Sequence, residues 1–309
     1  MSVLRGRKLA MYIGLCVVWG STWLGIKIGL RDLPPLRFAG LRMALACVLL
    51  TPFAFTRPGA PLAPRQKRWI AWNGLLQIGV SYACIFLASQ WITSGLAALL
   101  FATFPIFVGV FAHFLLPDEP LTPRILVSAG LGLAGVTVIE APAAVAMFST
   151  EARSLVVGGS LVLASAFVAG YANVINKKHM GGVSPFRNVW GQTLVGSVFL
   201  LVLAAVFERG ASSRWTPASV GALVYLAVIG TALPFVGLFW LIRRVPVAVI
   251  GTIPVVDTLI AVFLGNLVLG ETLSLRMVAG GVLILLGVLL AAIPQTGRFR
   301  KKNATAAMR

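Results

Sequence analysis

Long apolar runs, most of them near the length of a membrane span, alternate with short polar or proline-bearing breaks along this chain. The runs lie at about 9–30, 36–56, 69–89, 93–115, 124–141, 154–176, 186–207, 218–241, 247–269 and 275–293. A helix needs roughly 20 mostly apolar residues, rising ~1.5 Å each, to cross ~30 Å of hydrocarbon. The pattern therefore predicts an all-α polytopic membrane protein with about ten transmembrane helices. The breaks are rich in proline, glycine and charge: Asp32-Leu33-Pro34-Pro35, Arg57-Pro58-Gly59, Pro117-Asp118-Glu119-Pro120, Lys177-Lys178-His179 and Arg243-Arg244-Val245-Pro246. No linker is long enough to separate independent domains.

The runs repeat. Pro35-Leu36-Arg37 returns as Pro185-Phe186-Arg187, and Glu119-x-Leu121-x-x-Arg124 returns as Glu271-x-Leu273-x-x-Arg276. Gly135 and Gly287 keep the second offset of 152, while Phe104-Pro105 and Ile253-Pro254 are 149 apart. Two five-helix units follow, 9–141 and 154–293, with a basic tail at 294–309. Because five is odd, the second unit must enter the membrane from the opposite side. That geometry predicts inverted repeats around a central cavity, with a solute site near the midplane.

Composition agrees with a membrane as solvent: 59% of the 309 residues are hydrophobic, 11% are charged and mean hydropathy is +0.94. The net charge of +18 would suggest nucleic acid in a soluble protein, but its placement argues otherwise. With the N-terminus in the cytoplasm, 17 of the 26 Lys and Arg fall on the cytoplasmic side. This bias predicts cytoplasmic termini, a lipid-bilayer setting and no nucleic-acid partner. Arg298-Phe299-Arg300-Lys301-Lys302 suits anionic headgroups or serves simply as a topology signal. The first run follows Arg5, Arg7 and Lys8 as a signal peptide would, yet it continues without a convincing cleavage site and reads as a span. Cys16, Cys47 and Cys84, all in apolar stretches, match neither a disulfide framework nor a metal site.

Trp19-Gly20-Ser21-Thr22-Trp23, then Lys27, then Pro34-Pro35-Leu36-Arg37-Phe38-Ala39-Gly40-Leu41-Arg42 resembles the start of EamA-type members of the drug/metabolite transporter superfamily. Leu269-Gly270-Glu271-Thr272-Leu273 resembles that family's closing motif, and the resemblance runs over about residues 10 to 293. It implies a ten-helix bundle of two EamA units, a central cavity and alternating access, usually for amino acids or other metabolites leaving the cell. It also implies a bacterial inner (plasma) membrane. The first unit departs from the pattern by ending Leu116-Pro117-Asp118-Glu119, and Pro254 lies further from Glu271 than Pro105 does from Glu119.

Asp257 is the most informative charge inside a span, at ~15 Å depth by helical rise. A carboxylate there is costly unless paired or hydrated; without a partner it can carry a proton, whereas an adjacent arginine would hold it in a fixed pair. Arg42, roughly 10 Å below the surface, can bind, pair or snorkel but cannot release a proton. Lys27, nearer the end of its span, can carry its ammonium to the headgroups. Trp19, Trp23, Tyr82, Trp91, Tyr171 and Trp240 are candidate cavity walls or interface anchors. Asn73, Gln77, Gln90, Asn173, Asn176 and Gln192 offer neutral hydrogen-bonding groups. Gln77, Ser81 and Tyr82 share one helical stripe that faces either the cavity or a polar helix seam. Pro105 and Pro254 remove backbone donors inside spans, giving a gate or a packing kink. Gly25-x-x-x-Gly29 is ordinary packing.

His113 and His179 lack companions at ligand spacing, so no metal, cofactor or catalytic constellation is expected. An enzyme acting on lipid would need a nucleophile or an acid/base pair, and a scaffold would need larger loops. A secondary transporter of a small solute is the better reading. Few intramembrane cations argue against sugar phosphates, and few intramembrane acids against metal ions. That leaves a neutral or zwitterionic organic solute, with proton coupling through Asp257 as an option. Oligomeric state is not legible.

Overall fold

The computed structural model describes residues 6–56, 61–117, 122–145, 150–242, 244–245, 247–250 and 252–292. Residues 294–309 and the stretch that carries Asp118 and Glu119 lie outside them, as do Arg57, Pro58, Arg243 and Pro246. Among the described residues the secondary structure is entirely helical.

The helices are α1 (Arg7–Gly29), α2 (Pro35–Phe55), α3 (Pro64–Ala88), α4 (Ser94–Leu115) and α5 (Pro123–Val145) in the first half. The second half holds α6 (Thr150–His179), α7 (Pro185–Phe207), α8 (Pro217–Leu241), α9 (Val247–Ile250 continued as Ile253–Leu269) and α10 (Leu275–Ala292). The first eight are long and apolar enough to cross a membrane outright. In α9 the helix is interrupted ahead of Pro254, and the 18 described residues of α10 rise about 27 Å. Their outward faces carry the apolar side chains that lipid demands, with Phe263 61% and Leu275 83% exposed.

Helix pairing repeats between the halves. The helices α2 and α7 pack on each other, as do α5 and α10, and α4 and α9; α1 lies on α9 as α6 lies on α4. Directions follow from which residues meet. In α2 and α7, Leu36 meets Glu208 while Thr51 meets Trp190, so the pair is antiparallel. In α1 and α9, Tyr12 meets Thr252 while Gly20 meets Asp257, so that pair is parallel. Exchanging each helix for the one five places later reproduces this pattern with directions reversed: α6 runs opposite to α1.

Small residues make the symmetric contacts possible. A Cβ on Gly135 would fall 2.5 Å from the carbonyl oxygen of Gly280, and one on Gly287 would fall 2.8 Å from that of Ser128. These are equivalent contacts read from the two sides of the α5–α10 seam, which Ser128 Oγ closes by donating to Gly287 O at 2.7 Å.

The face of the bundle opposite the N-terminus is tied across the halves by carboxylates. Glu208 accepts from Leu36 N (2.6 Å) and Arg37 N (2.8 Å), supplying the cap that Pro34 cannot give α2. Arg37 returns the contact by donating to Glu208 O and Ala211 O at the end of α7. Glu271 accepts from the backbone N–H groups of Ser94 and Gly95 at the start of α4, and Asp32 Oδ2 accepts from the hydroxyl of Thr216, the N-cap of α8.

Candidate functional site

The aromatic-flanked stretch of α1 meets three different helices. Trp19 packs on the cluster of Leu15, Cys16, Leu241 and Ile253. Gly20 lets α1 approach α9, since a Cβ there would lie 2.6 Å from Asp257 O. Ser21 Oγ and the Tyr225 hydroxyl share a hydrogen bond of 2.5 Å to α8. Thr22 donates to Trp19 O, and Trp23 packs on Phe101 of α4 with ring centroids 5.7 Å apart. Trp23 and Phe101 both touch the two larger apolar clusters, so they join the halves of the core.

Arg42 lies beside this group on α2, 3% exposed. Its Nε and Nη2 donate to a single oxygen, Thr231 Oγ1, at 3.3 and 3.2 Å, and its guanidinium carbon sits 5.3 Å from the centre of the Tyr82 ring. No carboxylate is among these partners. Thr231 is held in place because its hydroxyl donates to Leu226 O, five residues back, inside a π-helical stretch, Val228–Ala232. The third helix of the first half has its own π-helical stretch, Gly74–Val80. Such widened turns recur at functional sites because they turn side chains away from the regular helical register.

Asp257 is half-buried on α9, just past the interruption that precedes Pro254. Thr258 Oγ1 donates to Pro254 O at 2.7 Å and lies 3.4 Å from Asp257 Oδ1; among the described residues no Lys or Arg pairs with the carboxylate. In α4 the equivalent interruption falls at Ala102–Thr103, ahead of Pro105. Thus both prolines sit in the first turn of a restarted helix, where a missing N–H costs little.

The remaining candidates divide. Tyr82 belongs to the Arg42 group and also stacks on Phe86. Gln77 lies in the π-helical part of α3, half-buried. Its stripe-mate Ser81 is spent on a helix seam, paired with Ser165 Oγ at 2.7 Å. Gln192 donates to Asn188 Oδ1 (2.8 Å) and Asn176 Oδ1 (3.3 Å) in a separate amide cluster on α6 and α7. Tyr171 packs edge-on against Phe111, and Asn173 is exposed on α6. Trp91 is 45% exposed in the turn between α3 and α4, outside the group around Arg42; an amphipathic ring there suits an interface anchor. Sequence reasoning missed Thr231, Tyr225 and Phe101. The first two were detectable as isolated polar side chains in an otherwise apolar run.

A groove between α4, α9 and α10 is lined by Leu99, Val262, Met277 and Leu285, with no polar side chain in its wall. It is distinct from the polar group around Arg42. No cluster of His, Cys, Asp or Glu able to hold a metal occurs among the described residues.

Fold and apolar exterior together define a multi-helix integral membrane protein. The chain belongs to the EamA-like transporter family, whose sequence profile matches residues 7–141 and again 156–293. It is 29% identical over 283 residues to the uncharacterized transporter YoaV of Bacillus subtilis, covering 90% of this chain and 94% of that one. It is 30% identical over 291 residues to the uncharacterized inner membrane transporter YedA of Escherichia coli, covering 93% and 90%. A solved crystal structure shares the fold with TM-score 0.64 at 19% identity, covering 93% of this chain and 96% of that one.

Proposed function

We propose that this transporter is a secondary carrier that exports small neutral or zwitterionic organic solutes, amino acids among them, by alternating access. The transport unit is the pair of inverted repeats, 9–141 and 154–293, set in a bacterial inner membrane with both termini cytoplasmic. The observation that carries this reading is convergence: Ser21 meets Tyr225, Gly20 meets Asp257, and Arg42 meets Thr231, each pair joining one repeat to the other. Side chains held between two repeats change their surroundings when the repeats rock, which is what a carrier needs at its solute site. Neutral and zwitterionic solutes fit a polar interior holding one arginine and one aspartate in this region.

The test is solute movement into or out of liposomes containing the purified, folded protein, across a broad metabolite panel. Transport of at least one solute above protein-free liposomes supports the reading; none across the panel contradicts it. Asp257, without a basic partner among the described residues, is the proposed proton carrier. For Asp257→Asn the expected outcome is solute exchange that continues while the response to an imposed pH gradient disappears. An unchanged response removes Asp257 from coupling.

A further inference from the structure

Building on the transporter reading, we infer that Arg42 is the seat for a carboxylate group of the solute. An arginine carries its charge at any physiological pH, and a buried cation without an anion is among the most costly arrangements a protein interior holds. Arg42 is 3% exposed and has one hydroxyl and one ring face as partners. Its Nε and Nη2 both spend themselves on Thr231 Oγ1, and among the described residues Nη1 donates to no acceptor. Guanidinium pairs with planar two-oxygen anions through two parallel N–H bonds, and a free Nη1 is half of that fork.

The repeat supplies an internal control. The offset that relates Arg37 to Arg187 relates Arg42 to Gln192 on the partner helix α7. Gln192 is as buried, 6% exposed, but its amide nitrogen is satisfied by Asn176 and Asn188. Packing at this position therefore does not require a charge: an uncharged side chain closes the interior on one side, while a cation stays incomplete on the other. A fixed structural role would leave Arg42 paired.

The ligand class follows from charge and shape. One guanidinium balances one monoanion, so a carboxylate fits better than a phosphate dianion, which calls for several cations. Tyr82 covers one face of the guanidinium, and Trp23 and Phe101 pack on the same apolar cluster as Tyr82, so the body of the solute meets aromatic surface. An amino acid with an apolar side chain satisfies both, and benzoate is the simplest aromatic carboxylate with which to probe the seat.

The test uses purified full-length protein in detergent with paired probes: benzoate against benzamide, L-leucine against L-leucinamide, L-phenylalanine against L-phenylalaninamide, with sodium chloride at matched ionic strength as the inorganic control. Thermal unfolding reads binding to the native state. The expected result is that at least one carboxylate raises the midpoint and that its amide binds about tenfold more weakly or worse, the loss expected for a charge-assisted bond. Arg42→Gln abolishes the carboxylate preference, and Arg42→Lys keeps part of it. Stabilisation by chloride alone, or by acid and amide equally, overturns the assignment. So does a wild-type protein that none of the carboxylates stabilises more than its amide. Should Arg42→Gln fail to fold, Arg42→Lys takes its place: the carboxylate preference must weaken there, and a preference as strong as the wild type's overturns the assignment. Liposome transport that proceeds equally for acids and amides leaves the transporter reading intact while removing Arg42 as the seat.

Discussion

Arg42 and Gln192 stand at equivalent places on α2 and α7, the two helices that pair antiparallel across the repeats. Around Gln192 the polar interior is knitted together, since three neutral amides hydrogen-bond one another. Around Arg42 it is open, since a cation faces one hydroxyl and one aromatic ring. The same scaffold position thus tolerates a finished polar network and an unfinished one. Two copies can share a backbone plan while one closes its polar interior and the other, on the reading proposed above, meets a solute.

The largest effect expected from breaking this comparison is Arg42→Gln, which copies the closed half into the open one. Transport of carboxylate solutes in liposomes should fall about 100-fold, on the order of 3 kcal/mol, while the ligand-free protein unfolds at the same temperature or higher. A drop in stability together with unchanged transport would make Arg42 a structural residue. The reciprocal change, Gln192→Arg, buries a second cation among amides and should destabilise by about 3 kcal/mol, read as a lowered unfolding midpoint. A stable Gln192→Arg protein would mean that the amide cluster opens to water. Next comes the shared seam: Gly135→Val puts a branched side chain against the α10 backbone and should cost about 2 kcal/mol. Smallest is Glu208→Gln, which keeps one backbone contact to α2, loses the other because an amide nitrogen cannot accept from an N–H, and removes the charge, lowering stability by about 1.5 kcal/mol.

Most of the scaffold was legible because apolar run length and charged breaks are direct consequences of the bilayer. Pro105 and Pro254 even marked where α4 and α9 restart, since proline fits a first helical turn. The π-helical stretches were not legible. Gly74–Val80 and Val228–Ala232 read as ordinary apolar helix, and whether a turn widens depends on what packs against it. The partner of Arg42 was hidden for that reason: Thr231 lies 189 residues away, and its hydroxyl is positioned by the widened turn. Ser81 shows the converse. Its helical stripe with Gln77 and Tyr82 was visible, but only the neighbouring helix decided that Ser81 goes to Ser165 while Tyr82 goes to Arg42. Glu208, which caps a helix of the other repeat, had no local signature because both of its partners are backbone groups 171 and 172 residues away.

The central claim is that this chain moves a solute whose carboxylate Arg42 receives. Counterflow into liposomes preloaded with L-leucine, L-phenylalanine or benzoate, followed with the matching labelled solute, tests it most directly. The account predicts transient accumulation of at least one labelled acid by the wild-type protein, and none by Arg42→Gln. Accumulation that is the same with and without the arginine, or a folded wild-type protein that accumulates none of the three, would contradict it.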